Sequence, residues 1–284
     1  MTQVIAHRGG SAYRPENTLA AFRNAIALGT AWFELDCTLT KDGEVVVIHD
    51  DTLARTTGGA PGVVHDYTMA ELKRFDIGSW FAPEFAGERF PTLGEALDLA
   101  KGKCGIYIEV KNSDNDDTLL HSILADFPPG EALFPKHAAE VGRRIAQSGT
   151  RNCKLARAVI DLVRQHGMQQ HVVVMSFAPV VCAVTLLEAS ELRTELLACS
   201  SKDDPHQWAQ YLVLERMLNA PGFNPGLSDV TVELVHELHA RGKTIAVWTV
   251  NEPADMKRLI GWGVDTLISD KPDVALRVVR GQTR

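Results

Sequence analysis

Eight short β-rich runs alternate with helical stretches along a chain of 284 residues, and this alternation predicts an α/β protein of the (β/α)8 TIM-barrel class. Neighbouring parallel strands need a crossover, so strands separated by helices imply a parallel sheet, and eight such units close a barrel. The length agrees: one barrel takes about 250 residues, and the excess fits two enlarged connections. The third observation is that ionisable residues gather at the C-terminal ends of the early strands, the face where barrel active sites form.

The elements follow in order. Residues 3–6 read as strand one and 17–28 as a helix with apolar Leu19, Ala20, Phe22 and Ile26. Strand two is 31–36, and strand three is 44–48 with its run of three valines. A helix over 92–100 carries Thr92 as N-cap with Glu95 three residues on, a capping-box pattern. Strand four is 105–111, 138–166 is largely helical, strand five is 172–176, and a helix starts at Pro179. Strand six is 194–199. A helix over 230–240 stops near Gly242, 244–249 is strand seven, 254–261 a helix, 264–269 strand eight and 273–280 the closing helix. Two segments exceed simple connections: 50–91 after strand three and 112–154 after strand four. The chain reads as one domain, 1–284, with the 50–91 insertion inside it.

Composition narrows the function classes. Lys and Arg number 29 against 36 Asp and Glu, a net charge of −7, which argues against a surface that tracks nucleic acid. The five cysteines are widely spaced without a C-x-x-C pair, neither a zinc framework nor a disulfide scaffold. The start lacks a signal-peptide profile. The apolar-rich stretch 172–187 is broken by Ser176 and Pro179, which reads as strand, turn and helix, not a membrane span. These features lead us to expect a cytoplasmic, soluble protein with reduced thiols and a small-molecule substrate. Nothing in the sequence addresses its oligomeric state.

Position carries more than composition. His7-Arg8 ends strand one, Glu34-x-Asp36 ends strand two, His49-Asp50 ends strand three and Glu109-x-Lys111 ends strand four. Residues i and i+2 share a strand face, so Glu34 and Asp36 point together, as do Glu109 and Lys111, while Cys37 faces away. Each motif alone has an ordinary structural explanation: a surface histidine, solvated carboxylates, a simple ion pair. Four successive strands carrying such groups at one end are much harder to produce by accident. Three carboxylates form a hard, oxygen-rich site suited to Mg²⁺ or Ca²⁺. His7 and His49 have the chemistry of an acid–base pair near neutral pH. Arg8 and Lys111 would bind an anion. Cation, two basic side chains and two histidines together suit phosphoryl chemistry.

Beyond these groups, ordered blocks span nearly the whole chain. They run His7-Arg8-Gly9-Gly10, Pro15-Glu16-Asn17-Thr18, Glu34-Leu35-Asp36, Val47-Ile48-His49-Asp50 and Asp51-Thr52-Leu53-Ala54-Arg55-Thr56-Thr57. Gly78-Ser79-Trp80-Phe81, Pro91-Thr92-Leu93, Glu109-Val110-Lys111, Ser176-Phe177, Trp248-Thr249-Val250-Asn251 and Gly263-Val264-Asp265 through Ser269-Asp270-Lys271-Pro272 complete the set. In this order the sequence resembles the glycerophosphodiester phosphodiesterase family of the bacterial cytoplasmic type. The resemblance implies a (β/α)8 barrel that hydrolyses glycerophosphodiesters to sn-glycerol 3-phosphate and an alcohol. It implies that Glu34, Asp36 and Glu109 hold one divalent cation, that His7 and His49 are the acid–base pair, and that Arg8 and Lys111 contact phosphate. Glu16 would support the site, from the cation's outer shell or by orienting Arg8. An acid there would also suit a helix start in any protein. Phe177 and Trp248 would wall the glycerol end, or simply pack a strand end. Segment 50–91 corresponds to the family's insertion after strand three, in which Trp80 and Phe81 either meet substrate or form the insertion's core.

One departure stands out. The 112–154 connection is longer than the usual family connection and opens on Ser113-Asp114-Asn115-Asp116-Asp117. This opening fails the calcium-loop pattern, because Leu119 takes the glycine position. It reads as a solvated loop, or else as a lid, a specificity element or a subunit contact. The attacking group is either water or the substrate's own 2-hydroxyl, which would give a transient cyclic phosphate. Alternative functions are a related barrel phosphodiesterase acting on lysophospholipid or sphingolipid head groups, and a non-catalytic phosphodiester-binding barrel.

Overall fold

Strands in a closed parallel barrel are buried on both faces, so they read as near-continuous apolar runs, as Val172-Val173-Val174 does. The structure, a computed structural model, describes residues 2–114 and 116–281. Its strands are β1 (Gln3–Ala6), β2 (Trp32–Leu39), β3 (Val45–Val47), β4 (Gly105–Val110), β5 (Val172–Ser176), β6 (Arg193–Ala198), β7 (Gly222–Pro225), β8 (Thr244–Val247) and β9 (Thr266–Ser269). All except β3 pair in parallel in the order β1-β2-β4-β5-β6-β7-β8-β9, and β9 returns to β1. The eight parallel strands close a (β/α)8 barrel.

The strand inventory differs from the expected one at two places. The valine run 45–47 is not a barrel strand. It pairs antiparallel with the far end of β2. Only residues 40–44 separate the two, far too few for a parallel crossover, and Asp42-Gly43 makes the turn with Gly43 at φ +84°. The eighth barrel strand is instead β7, Gly222-Phe223-Asn224-Pro225, whose composition is that of a turn. Its residues answer a neighbour: Gly222 stands opposite Glu195 in register, and a Cβ there would lie 2.6 Å from the Glu195 carboxyl carbon. Asn224 Nδ2 donates to Glu195 Oε2 at 2.8 Å, and Arg193 Nε donates to Oε1 at 2.7 Å, so this buried carboxylate is held from two sides.

Helices α1 (Leu19–Ala27), α2 (Met69–Leu72), α3 (Leu93–Ala100), α4 (Asp117–Leu124), α5 (Ala138–Ser148), α6 (Arg151–His166), α7 (Pro179–Glu188), α8 (Gln207–Leu218), α9 (Val232–Ala240), α10 (Pro253–Trp262) and α11 (Pro272–Val279) cover the barrel or its insertions. The expected capping box at Thr92 and Glu95 is present at α3. The stretch 138–166 is two helices, because Gly149 turns left-handed at φ +59° and Thr150 caps the second. Helix α8 had no counterpart in the sequence reading. No helix among the described residues is long and apolar enough to cross a membrane.

Strand alternation divides the core. Outward residues such as Phe33, Leu35, Cys37, Ile106 and Ile108 pack under the helices. Inward residues Ile5, Tyr107, Val173, Met175, Leu197, Ala246 and Ile268 fill the lumen. They form an apolar plug beneath the mouth, joined by the buried Glu195–Asn224 pair. The five cysteines are free, and Cys37 lies on the outer face, away from the carboxylates of its strand.

The 50–91 insertion has its own small core of Val46, Ile48, Leu53, Val64, Met69, Leu72, Ile77 and Phe90. It is stitched back to β3 where Val47 N donates to Pro91 O at 2.9 Å. Within it Gly78 is required by space, since a Cβ would meet the Phe85 carbonyl oxygen at 1.8 Å. Asp76 organises the same turn by accepting from the backbone N–H of Gly78, Ser79 and Gly87 at 2.8, 2.9 and 2.9 Å.

The opening of the 112–154 connection is solvated at Asn112 and Asp114, as expected from its acidity, but is anchored at Asp116. Asp116 is buried and accepts from Asn152 Nδ2 at 2.6 Å, while Ser113 N donates to Asn152 Oδ1 at 2.8 Å. One buried asparagine on α6 therefore pins the segment to the barrel; Asn115 lies outside the described residues. The arrangement of the insertion predicts that Asp76→Ala costs about 1–3 kcal/mol, because three backbone donors lose their acceptor. Urea denaturation checks this, and an unchanged midpoint would contradict it.

Candidate active site

Register puts three acids side by side. Asp36 on β2 is the partner of Glu109 on β4, and Glu34 sits one inward position below Asp36. Their carboxylate oxygens lie within 4.8 Å of one another, and all three residues are buried. Beneath them is the apolar lumen, so like charges meet in a poor dielectric. Burial, with the charge of Asp36, pushes the Glu34 carboxyl up to about 8. The same two causes raise Glu109. Burial acts upward on Asp36 too, but Lys111 and Arg8 outweigh it and hold its carboxyl well below the usual range.

The counter-charges come from strand ends. Lys111 Nζ lies 2.7 Å from Glu109 Oε1 and 3.4 Å from Asp36 Oδ1. Arg8 Nε lies 3.3 Å from Asp36 Oδ2, its NH1 donates to Glu16 Oε1 at 2.9 Å, and its backbone N–H donates to Glu34 Oε2 at 2.8 Å. That last bond needs an unusual backbone. Arg8, Gly9 and Gly10 all have positive φ, and at Gly9 a Cβ would fall 2.7 Å from Ala21 Cβ on α1. The H-R-G-G run is thus a turn that only glycine allows to pack so closely.

Each histidine is held by a carboxylate at Nδ1. His7 Nδ1 lies 2.6 Å from Asp270 Oδ1, and Asp270 also accepts from Ser11 Oγ at 2.5 Å and Asn251 Nδ2 at 2.6 Å. His49 Nδ1 lies 2.7 Å from Asp50 Oδ1. A carboxylate only accepts, so Nδ1 carries the proton in both rings and Nε2 is left for the mouth. Burial would lower His7, but its bond to Asp270 and the charge of Glu34 raise it on balance. Burial would raise Asp270, but the bond from His7 keeps it well below the usual range. Bonds from Arg55, acting against burial, bring Asp50 down to about 2.

A cavity of about 270 Å³ opens over these groups. His7, Arg8, Glu34, His49, Glu109 and Lys111 form its polar side. Met175, Phe177, Leu197, Trp248 and Ile268 form the other, with Phe177 and Trp248 edge to face at 5.4 Å. Asp36 and Glu16 reach the cavity through Arg8. All ten site residues singled out in the sequence therefore converge. The route of His49 differs from expectation: β3 runs antiparallel, and the hairpin carries its end back to β2, where Ile48 N donates to Asp36 O at 3.0 Å. Trp80 and Phe81 sit in the insertion, 5.8 Å apart, outside the cavity lining. The sequence reading assigned no role to Asp50, Asp270 or Asn251. Asp270 directly follows β9 and obeys the same strand-end rule as His7, so its signal was present.

The donor set fits a divalent cation. All three ligand candidates are carboxylates, and Glu34 Oε1 is buried and accepts no hydrogen bond among the described residues.

A family model described as the glycerophosphoryl diester phosphodiesterase family matches residues 7–126 and 136–274. This chain belongs to that family. With it the chain belongs to the phosphoric diester hydrolases. A glycerophosphodiester phosphodiesterase of Caldanaerobacter subterraneus subsp. tengcongensis is 34% identical over 280 residues, covering 98% of each chain. One of Bacillus subtilis is 31% identical over 286 residues, covering 98% of this chain and 86% of its own. An Oleispira antarctica phosphodiesterase solved with the product sn-glycerol-3-phosphate superposes with TM-score 0.77 at 26% identity, covering 99% of this chain and 97% of that one. The stretch the family model passes over, 127–135, lies inside the long 112–154 connection.

The buried acids predict a pH dependence of stability in the presence of chelator. A folded-state pKa above the unfolded value means that the folded chain keeps the proton longer. For Glu34 that contribution is complete below 4.5 and is lost as pH rises through about 8. Glu109 and His7, both raised, act with the same sign. The urea midpoint with chelator is expected to fall between about pH 5 and pH 8, and to flatten in Glu34→Gln or with saturating Mg²⁺ or Ca²⁺. A chelated midpoint that rises over this range would contradict the charge assignment.

Proposed function

We propose that this protein hydrolyses glycerophosphodiesters to sn-glycerol 3-phosphate and an alcohol, using one divalent cation and the His7–His49 pair. One observation carries the reading: three buried carboxylates converge beside two histidines whose Nδ1 atoms are each held by a further carboxylate. Glu34, Asp36 and Glu109 would hold Mg²⁺ or Ca²⁺. A cation held there would supply neutralisation of charge on the non-bridging phosphate oxygens.

The chain's own groups do the remaining work. Arg8 offers its planar fork and Lys111 its point charge to the phosphodiester. Each is already paired with carboxylates of the cluster, so both are fixed before substrate arrives. Nε2 of one neutral histidine takes the proton from the attacking oxygen, and the other histidine, entering as an imidazolium, delivers its Nε2 proton to the departing alcohol. Asp270 and Asp50 hold each ring by its Nδ1–H, so that Nε2 faces the reacting group in either role. Phe177 and Trp248 give the glycerol carbons an apolar wall and exclude water from that side. Glu16 orients Arg8 through the 2.9 Å bond. We also read the chain as one barrel domain, since the insertion's core includes Val46 of β3, and as a cytoplasmic protein, which suits its five free thiols.

A coupled assay for released glycerol 3-phosphate tests the reading. It is run on glycerophosphocholine, glycerophosphoethanolamine and diglycerol phosphate in Mg²⁺ and in Ca²⁺, with lysophosphatidylcholine and sphingomyelin as further arms read by released choline, since their cleavage yields no glycerol 3-phosphate. Turnover of the water-soluble diesters and its loss with chelator are expected. Turnover of the lipid arms alone would reassign the substrate, and silence in every arm would leave a binding barrel. His7→Ala and His49→Ala are each expected to slow turnover roughly 10²- to 10⁴-fold. A variant with near-normal turnover would remove that histidine from the chemistry.

A further inference from the structure

Arg55 lies in the insertion, five residues beyond Asp50 in the sequence, and its side chain is 41% exposed. An arginine so placed ordinarily gains little from an ion pair. This one is fully engaged. Its Nε and NH2 donate to the two oxygens of Asp50 at 2.7 and 2.9 Å, and its NH1 and NH2 donate to the two oxygens of Glu16 at 2.7 and 2.8 Å. The Trp80 ring flanks the guanidinium at 5.9 Å. Two forked contacts on one planar group leave it little freedom.

Among the described residues, each of the two carboxylates has one further side-chain partner, and both partners line the cavity. Asp50 Oδ1 accepts a hydrogen bond from His49 Nδ1–H, and Glu16 Oε1 accepts one from Arg8 NH1. These are the same oxygens that Arg55 NH2 reaches. Without Arg55, Asp50 could swing to solvent and free the His49 ring to rotate, and Glu16 could no longer fix the Arg8 fork.

We propose that Arg55 is a positioning residue that orients His49 and Arg8 together, so that the insertion takes part in assembling the site. The inference rests on the roles proposed above for His49 and Arg8. A merely structural clamp is a different claim with a different consequence. The insertion has an apolar core of its own, including Leu53, Leu72, Ile77 and Phe90, so it is expected to stay folded without Arg55.

The test uses the full chain with Arg55→Ala and Arg55→Lys. Turnover of glycerophosphocholine, thermal melting and the side-chain ¹⁵N signals of His49, assigned by their loss in His49→Gln, are measured together. For Arg55→Ala, kcat/KM is expected to fall roughly 10²-fold through both kcat and KM, with melting within about 3 °C of wild type. Free guanidinium, far below unfolding concentrations, is expected to restore part of the turnover. Arg55→Lys recovers less than guanidinium does, because an ammonium cannot span two carboxylates. The His49 signals are expected to change from one protonated-Nδ1 tautomer to an average of two. Turnover of Arg55→Ala within about threefold of wild type would overturn the proposal, as would a loss that guanidinium does not restore and that tracks a lowered melting point. Wild type inactive in every arm would instead refute the catalytic reading; the His49 signals then decide, and an unchanged tautomer in Arg55→Ala overturns the positioning role.

Discussion

Three carboxyl groups forced together in a buried place shape everything around the mouth of this barrel. Glu34, Asp36 and Glu109 offer oxygens within 4.8 Å of one another, and apolar Met175, Leu197 and Ile268 line the same cavity. Two cations on strand ends compensate them unevenly. Arg8 and Lys111 both favour Asp36, which stays ionised, while Glu34 and Glu109 remain raised. A site so balanced suits a hard cation, and in the proposed function Arg8 and Lys111 would face a phosphodiester although the chain as a whole is acidic.

A second set of carboxylates does opposite work. Asp270, Asp50 and Glu16 hold donors instead of repelling one another, and each fixes a group that faces the cavity. They come from distant parts of the chain. Asp270 follows the last strand and meets His7 after the first, so closure of the barrel itself completes that dyad. Asp50 follows the hairpin that departs from the barrel pattern, and Arg55 joins it to Glu16 in the segment before α1. The insertion therefore has two roles in one piece of chain: a small apolar core that makes it fold, and a polar edge turned to the mouth.

Much of this was legible in residue order. The i, i+2 spacing of Glu34-x-Asp36 and Glu109-x-Lys111 gives the facing of four site residues from the geometry of a strand alone. The strand inventory was less legible. Val45-Val46-Val47 has a strong β signal yet lies outside the barrel, because the short Asp42-Gly43 turn leaves no room for a crossover. Gly222-Phe223-Asn224-Pro225 carries almost no β signal. It is a strand because Glu195 next to it needs a neighbour without a side chain at 222 and an amide at 224. Local propensity cannot report a demand made by another strand.

By itself the sequence determined the barrel class, the identity of the acids, bases and cations at the mouth, and the family blocks that order them. These depend on period, spacing and residue type, all of which are local. Only the tertiary structure decided which residues steady that chemistry. Asp270 reaches His7 across 263 positions, and Arg55 reaches Glu16 across 39. Such pairings follow from how the sheet closes and where the insertion docks. They are set by packing of whole elements, a property no stretch of sequence contains.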